Sequence, residues 1–124
     1  VGLAASGGLH RLARQIPMKH AMDIALSGRL FPAAEAQAKG LVNQVVPAGA
    51  LTQAVDALVE ALSLCAPLAL RATKQMMLAG LDQPTLAAAF GGDYPAYHAM
   101  LRSQDALEGP LAFSQKRKPR WQGR

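Results

Sequence analysis

The stretch GGLHRLARQIPMKHAMDIALSGRLFPAAEAQAKGLVNQVVP, residues 7–47, carries the periodicities that decide the architecture. Leu9, Leu12 and Ile16 recur at helical spacing, and the pattern fades at Pro17. Pro17 suits the first turn of a second helix, where its missing N–H leaves no bond unmade. Met18, Met22, Ile24 and Ala25 continue that helix, and Gly28 fits the left-handed position that closes it. Arg29, Leu30 and Phe31 form an extended link before Pro32 opens a third helix. Glu35 falls in its first turns, near the positive end of the helix dipole, and Gly40 stops it. Leu41, Val42, Val45 and Val46 then read as a short strand closed by Pro47.

Working outward, VGLAASGG at the start is small and apolar and does not nucleate a helix alone; it reads as a strand exit or inner loop. On the other side, Leu51, Val55, Leu58 and Leu62 make one stripe of a helix from Ala50 to about Leu64. Pro67 restarts a helix that runs to Gly80. Pro84 begins another with Leu86 and Phe90, weakened in its middle by Gly91 and Gly92. Ser103 is a plausible N-cap for a last helix from Asp105 to about Lys116, bent at Gly109 and Pro110. The predicted chain is a run of short helices with one or two brief strands. That is too little sheet for an α/β fold alone, so a sheet-bearing portion is expected outside it.

A chain of 124 residues, 51% hydrophobic and 17% charged, can bury a core and is not disordered. It opens on Val1 and not Met, so a processed, trimmed or incomplete chain is expected. No charged start leads into an apolar run with a cleavage site, and charges interrupt every apolar stretch before it reaches membrane length. Cys65 lies among Ala61, Leu62, Leu64 and Leu68 and reads as a small core or boundary residue. A single cysteine rules out a disulfide framework within the chain and agrees with a cytosolic setting.

The formal charge of +5 is uneven: Lys116, Arg117, Lys118, Arg120 and Arg124 crowd the end, leaving the rest close to neutral. Elsewhere the residues carry little chemistry. Gly7 and Gly8 could present backbone N–H groups to an anion, though a simple turn explains them as well. His10, His20 and His98 are isolated and lack metal-ligand spacing. No serine has a nucleophile-elbow setting. Most of the carboxylates read as caps or solvated helix faces. The tail FSQKRKPRWQGR admits three readings: a solvated basic end, a nucleic-acid contact, or a polyphosphate site with Phe113 as a stacking face one turn before Lys116.

Three stretches together resemble the crotonase (enoyl-CoA hydratase/isomerase) family. Residues 7–47 match its Gly pair with Arg-Leu, its "TGR", its "A-x-EA" helix and its "GLVN-x-VVP". APLALRATKQMM (66–77) is similar to its later Pro-opened, Lys-bearing helix. SQDALEGPLAFSQKRKPRWQGR (103–124) is similar to its ending. GGLHRL and the ending look nearest to the carnitinyl-CoA dehydratase-like and hydratase-like branch. The resemblance implies an α/β crotonase-like fold, of which this chain is the mostly α-helical C-terminal part with one or two short strands. Residues 1–47 would end the core, and residues 48–124 would form a helical trimerisation region with a basic tail.

The implied function is that of an acyl-CoA lyase adding or removing water across the α,β-bond. In such enzymes two backbone N–H groups hold the thioester oxygen, and two glutamates activate the water. By family layout these groups precede Val1, so no catalytic residue is expected here. The loop Ala4-Ala5-Ser6 lacks the Pro-preceded acid of some relatives, which disfavours an isomerase. Matching the tail motif implies that Phe113 and Lys116 help hold the adenine and 3′-phosphate end of CoA, often from a neighbouring subunit. No cofactor is required beyond coenzyme A as part of the substrate. The implied partners are an acyl-CoA substrate and sister subunits of a homotrimer or hexamer, with neither nucleic acid nor membrane. A non-catalytic CoA-binding or oligomer-capping remnant of the family is the alternative.

Overall fold

The computed structural model describes residues 2–124, in two compact units that meet in sequence between Thr52 and Gln53. In the first unit lie helices α1 (Ser6–Gln15), α2 (Met18–Ser27) and α3 (Ala33–Ala38). Helix α1 takes in Gly7 and Gly8, which were expected ahead of it. The first turn makes no backward backbone bonds, so small flexible residues are tolerated there. Pro17 caps α2 through its carbonyl, which accepts the N–H groups of His20 at 2.9 Å and Ala21 at 3.0 Å. Helix α3 ends in a left-handed turn at Gly40 (φ 77°), with the Leu41 N–H donating to Ala36 O at 2.9 Å. Ile16, Ala21 and Ala36 form the buried centre of this unit.

The expected strand over Leu41–Val46 does not form: the segment is bends and irregular chain, and no strand occurs among the described residues. β-branched side chains supply a preference, but a strand exists only by exchanging N–H···O=C bonds with a neighbour, and none pairs with it here.

A 3₁₀ turn (Ala48–Ala50) leads into α4 (Leu51–Ser63), followed by α5 (Pro67–Gly80), α6 (Leu86–Phe90), α7 (Pro95–Leu101) and α8 (Gln104–Ser114). Pro67 and Pro95 each stand in a first turn. Thr85, and not Pro84, starts α6, its Oγ1 accepting the Ala88 N–H at 3.1 Å. Gly91 ends α6, where a weak middle of a longer helix was expected. Beyond it, a Cβ at Gly92 would stand 2.7 Å from the Tyr94 ring, which folds back so that its hydroxyl donates to Ala89 O at 2.6 Å. Helix α7 packs against α5, and Gln75 Oε1 accepts the Ala96 N–H at 2.8 Å, satisfying a donor of the α7 first turn.

Small buried residues, Ala72 and Ala112, let the helices approach closely. Large apolar side chains stay outside: Leu51, Val55, Leu58, Val59 and Leu62 of α4 are 46–61% exposed. Cys65, expected in the core or at its boundary, is exposed, because it falls just beyond the α4 end. Among the described residues no single helix is long and apolar enough to cross a membrane; α4 with its leading turn and α5 reach that length only together, across a 104° bend.

Candidate functional site

Helix α8 is the platform on which the basic tail is arranged. Ser103 starts it: its Oγ accepts the Ala106 N–H at 3.1 Å and donates to Met100 O at 2.6 Å. Asp105, only 4% exposed, then receives the returning chain. Its two carboxylate oxygens accept the backbone N–H groups of Gln122 at 2.7 Å and Gly123 at 2.9 Å. The Gln104 N–H donates to Arg124 O at 2.7 Å. Trp121 lies over Gly109, where a Cβ would meet the indole at 3.5 Å. One turn along α8 from Asp105, Glu108 holds Arg117 through two bonds of 2.6 and 2.9 Å and accepts the Arg120 backbone N–H at 2.7 Å. The Arg117 guanidinium, and after it the Arg120 amide, pull the Glu108 carboxyl down to about 2. Glu108, Arg117, Arg120 and Gln122 line an open cleft of about 410 Å³.

The two residues assigned from the tail motif lie where the chain reverses. Phe113, in the last turn of α8, is 87% exposed. Lys116, just past the helix, has φ 52° and is the one non-glycine residue with positive φ among the described residues. The Lys116 N–H donates to Phe113 O at 3.1 Å and the Arg117 N–H to Ala112 O at 3.0 Å, closing the helix in a Schellman turn. The fold therefore sets Phe113 and Lys116 on one turn.

Two residues of this region were misread from the sequence. Asp105 and Glu108 passed as caps or solvated faces, yet one is buried and both organise the tail. A signal was present: the two carboxylates are three residues apart on one helix face, upstream of a tail with five cations.

A second charged cluster joins α2, the link after it and α3. Arg29 bonds the Glu35 carboxylate and reaches Asp23 at 3.1 Å; Lys39 reaches Asp23 at 2.8 Å and Glu35 at 3.5 Å. Lys39 and Arg29 hold the Asp23 carboxyl below its ordinary range, and Arg29 does the same to Glu35. Such pinned carboxylates are poor proton carriers near neutral pH. An open apolar groove of about 570 Å³ lies between α1 and α2, lined by residues including Leu9, Leu12, Met18 and Met22. No group of His, Cys, Asp or Glu able to hold a metal ion occurs among the described residues.

With helices, tail and motif in place, the class of protein is defined: the chain belongs to the enoyl-CoA hydratase/isomerase family, whose pattern matches residues 1–124. It is 37% identical over 122 residues to the carnitinyl-CoA dehydratase of Salmonella typhi, covering 96% of this chain and 47% of that one. To the carnitinyl-CoA dehydratase of Proteus mirabilis it is 36% identical over the same shares. Among solved structures it is similar to an enoyl-CoA hydratase from Mycobacterium tuberculosis H37Rv, with a TM-score of 0.88 and 37% identity over 99% of this chain and 49% of that one. An enoyl-CoA hydratase from Bacillus anthracis gives a TM-score of 0.89 and 31% identity over 99% and 48%. The chain spans about half the length of the curated relatives it matches. Its fold is crotonase-like, represented by a helical portion.

Proposed function

We propose that this chain serves an acyl-CoA lyase of the enoyl-CoA hydratase type, and that its own residues hold the nucleotide end of coenzyme A. The observation that carries this reading is the exposed Phe113 ring set on one turn with the left-handed Lys116, in a chain of this family. An aromatic face suits adenine, and an ammonium is a compact partner for the 3′-phosphate. No other cofactor is required. Arg117 is already committed to Glu108, which leaves fewer free cations for a nucleic-acid backbone and favours a small phosphate ligand. The bare apolar stripe of α4 supports assembly into a trimer or hexamer. The proposed setting is the cytoplasm.

A second reading is a CoA-binding or oligomer-capping role without chemistry. It is favoured by one observation: Asp23, Glu35 and Glu108, the carboxyls displaced from their ordinary range, are all displaced downward. A general acid needs the opposite displacement. The deciding experiment offers crotonyl-CoA to the native protein that carries this chain, follows loss of the conjugated thioester, and in parallel compares binding of CoA with 3′-dephospho-CoA. Turnover with a preference for CoA supports the lyase. Preference without turnover supports the second reading, and absence of both removes CoA from either.

A further inference from the structure

We propose that Glu108 is a positioning residue for the CoA 3′-phosphate: by clamping the chain on the far side of the turn, it holds Lys116 left-handed and so aims the ammonium. The inference rests on the reading of Lys116 as a CoA contact. Lysine at this position is unfavourable, because Cβ crowds the carbonyl in the left-handed region and glycine is the usual occupant of a helix C′ site. Something must keep it there. The Schellman bonds at Lys116 and Arg117 start the reversal. Glu108 completes it from two sides, gripping the Arg117 guanidinium at 2.6 and 2.9 Å and the Arg120 N–H at 2.7 Å. These partners lie nine and twelve residues further along the chain, one and four residues after Lys116. With both held against α8, the turn has little freedom to relax to a right-handed or extended Lys116.

The division of labour is also electrostatic. Arg117 is neutralised by Glu108, whereas Lys116 has no carboxylate among its hydrogen-bond or ion-pair partners. Glu108 thus removes the adjacent cation, Arg117, from competition for the phosphate and leaves the Lys116 ammonium uncommitted. Its carboxylate, 18% exposed, is shielded enough for the clamp to persist. It never touches the ligand in this arrangement, so its influence should be confined to the 3′-phosphate.

The test uses the native protein that carries this chain and compares its affinity for CoA and 3′-dephospho-CoA by calorimetry. The native chain is expected to prefer CoA by roughly tenfold, the scale of one charge-assisted contact. Glu108→Gln is expected to remove most of that preference while leaving affinity for dephospho-CoA unchanged, a split that general loosening would not produce. Arg117→Gln opens the same clamp from its other end and decides the matter if Glu108→Gln does not fold. Preference retained in a folded clamp variant overturns the positioning role while the CoA reading stands. A native chain with no preference overturns the CoA reading, and the positioning role with it.

Discussion

The indole N–H of Trp121 donates to the carbonyl oxygen of Leu64 at 2.8 Å, across 57 residues of chain. That bond ties the last residues to the end of α4. Together with the Asp105 and Glu108 clamps, it turns a tail of five cations into an ordered strap against α8.

Trp121→Phe keeps the apolar contact with Gly109 but deletes the bond to Leu64. A net loss of about 1 kcal/mol is expected, as for one ordinary hydrogen bond. Trp121→Ala also removes the ring and should cost roughly 2–3 kcal/mol, below the value for a fully buried Trp because the side chain is half-buried. Urea midpoints of the two variants check the order.

Asp105→Ala leaves the Gln122 and Gly123 N–H groups without their acceptors. The expected cost is about 2–3 kcal/mol, the scale of breaking hydrogen bonds to a buried charged group. The strap should then be released locally before the helices melt. Trypsin should cut at Arg117 and Arg120 much faster in the variant than in the native chain. Equal cleavage rates would mean that the carboxylate does not hold the tail.

Glu108 titrates at about 2 in the folded chain against an ordinary 4.5. A depressed folded pKa means that the unfolded chain binds more protons in between, so the contribution is complete above about pH 5 and is lost as pH falls towards 2. Asp23 and Glu35 are displaced in the same direction and act with the same sign. Stability should therefore be level from about pH 5.5 to 8 and fall on acidification. Glu108→Gln should flatten that fall without changing its direction. Denaturation midpoints at a series of pH values measure it.

Lys116→Gly and Lys116→Ala separate backbone strain from charge. Both remove the ammonium and should abolish the preference for CoA over 3′-dephospho-CoA. Only glycine accepts φ 52° without crowding its Cβ, so the Gly variant should be more stable than the Ala variant by about 1 kcal/mol. Equal stability would indicate that the left-handed turn is not strained.

The α4 stripe bears on assembly. The native chain should sediment as an oligomer at micromolar concentration, and Leu58→Glu with Leu62→Glu should shift it towards monomer. Both leucines are exposed, at 60% and 46%, so charges there cost little in the isolated fold but oppose burial against a neighbour. An unchanged sedimentation coefficient would assign the contact to another face.

What the sequence by itself determined is local or motif-borne. Pro67 and Pro95 start helices because a first turn needs no N–H from them, and Gly28 and Gly40 end helices because left-handed backbone costs glycine nothing. Ser103 caps α8 with its own side chain. The motifs of residues 7–47 and 103–124 were sufficient to point to the family. Tertiary structure decided everything that needs a distant partner. Residues 41–46 have the composition of a strand but, among the described residues, no neighbour to pair with. Asp105 looked like a surface acid until Gln122 and Gly123 returned to it, and Glu108 until Arg117 folded back. Lys116 gave no sign of its left-handed turn, because lysine avoids that region unless the chain on both sides leaves it no other. Propensity acts within a few residues, whereas a clamp, a ladder or an enforced φ depends on which remote segment the fold brings alongside.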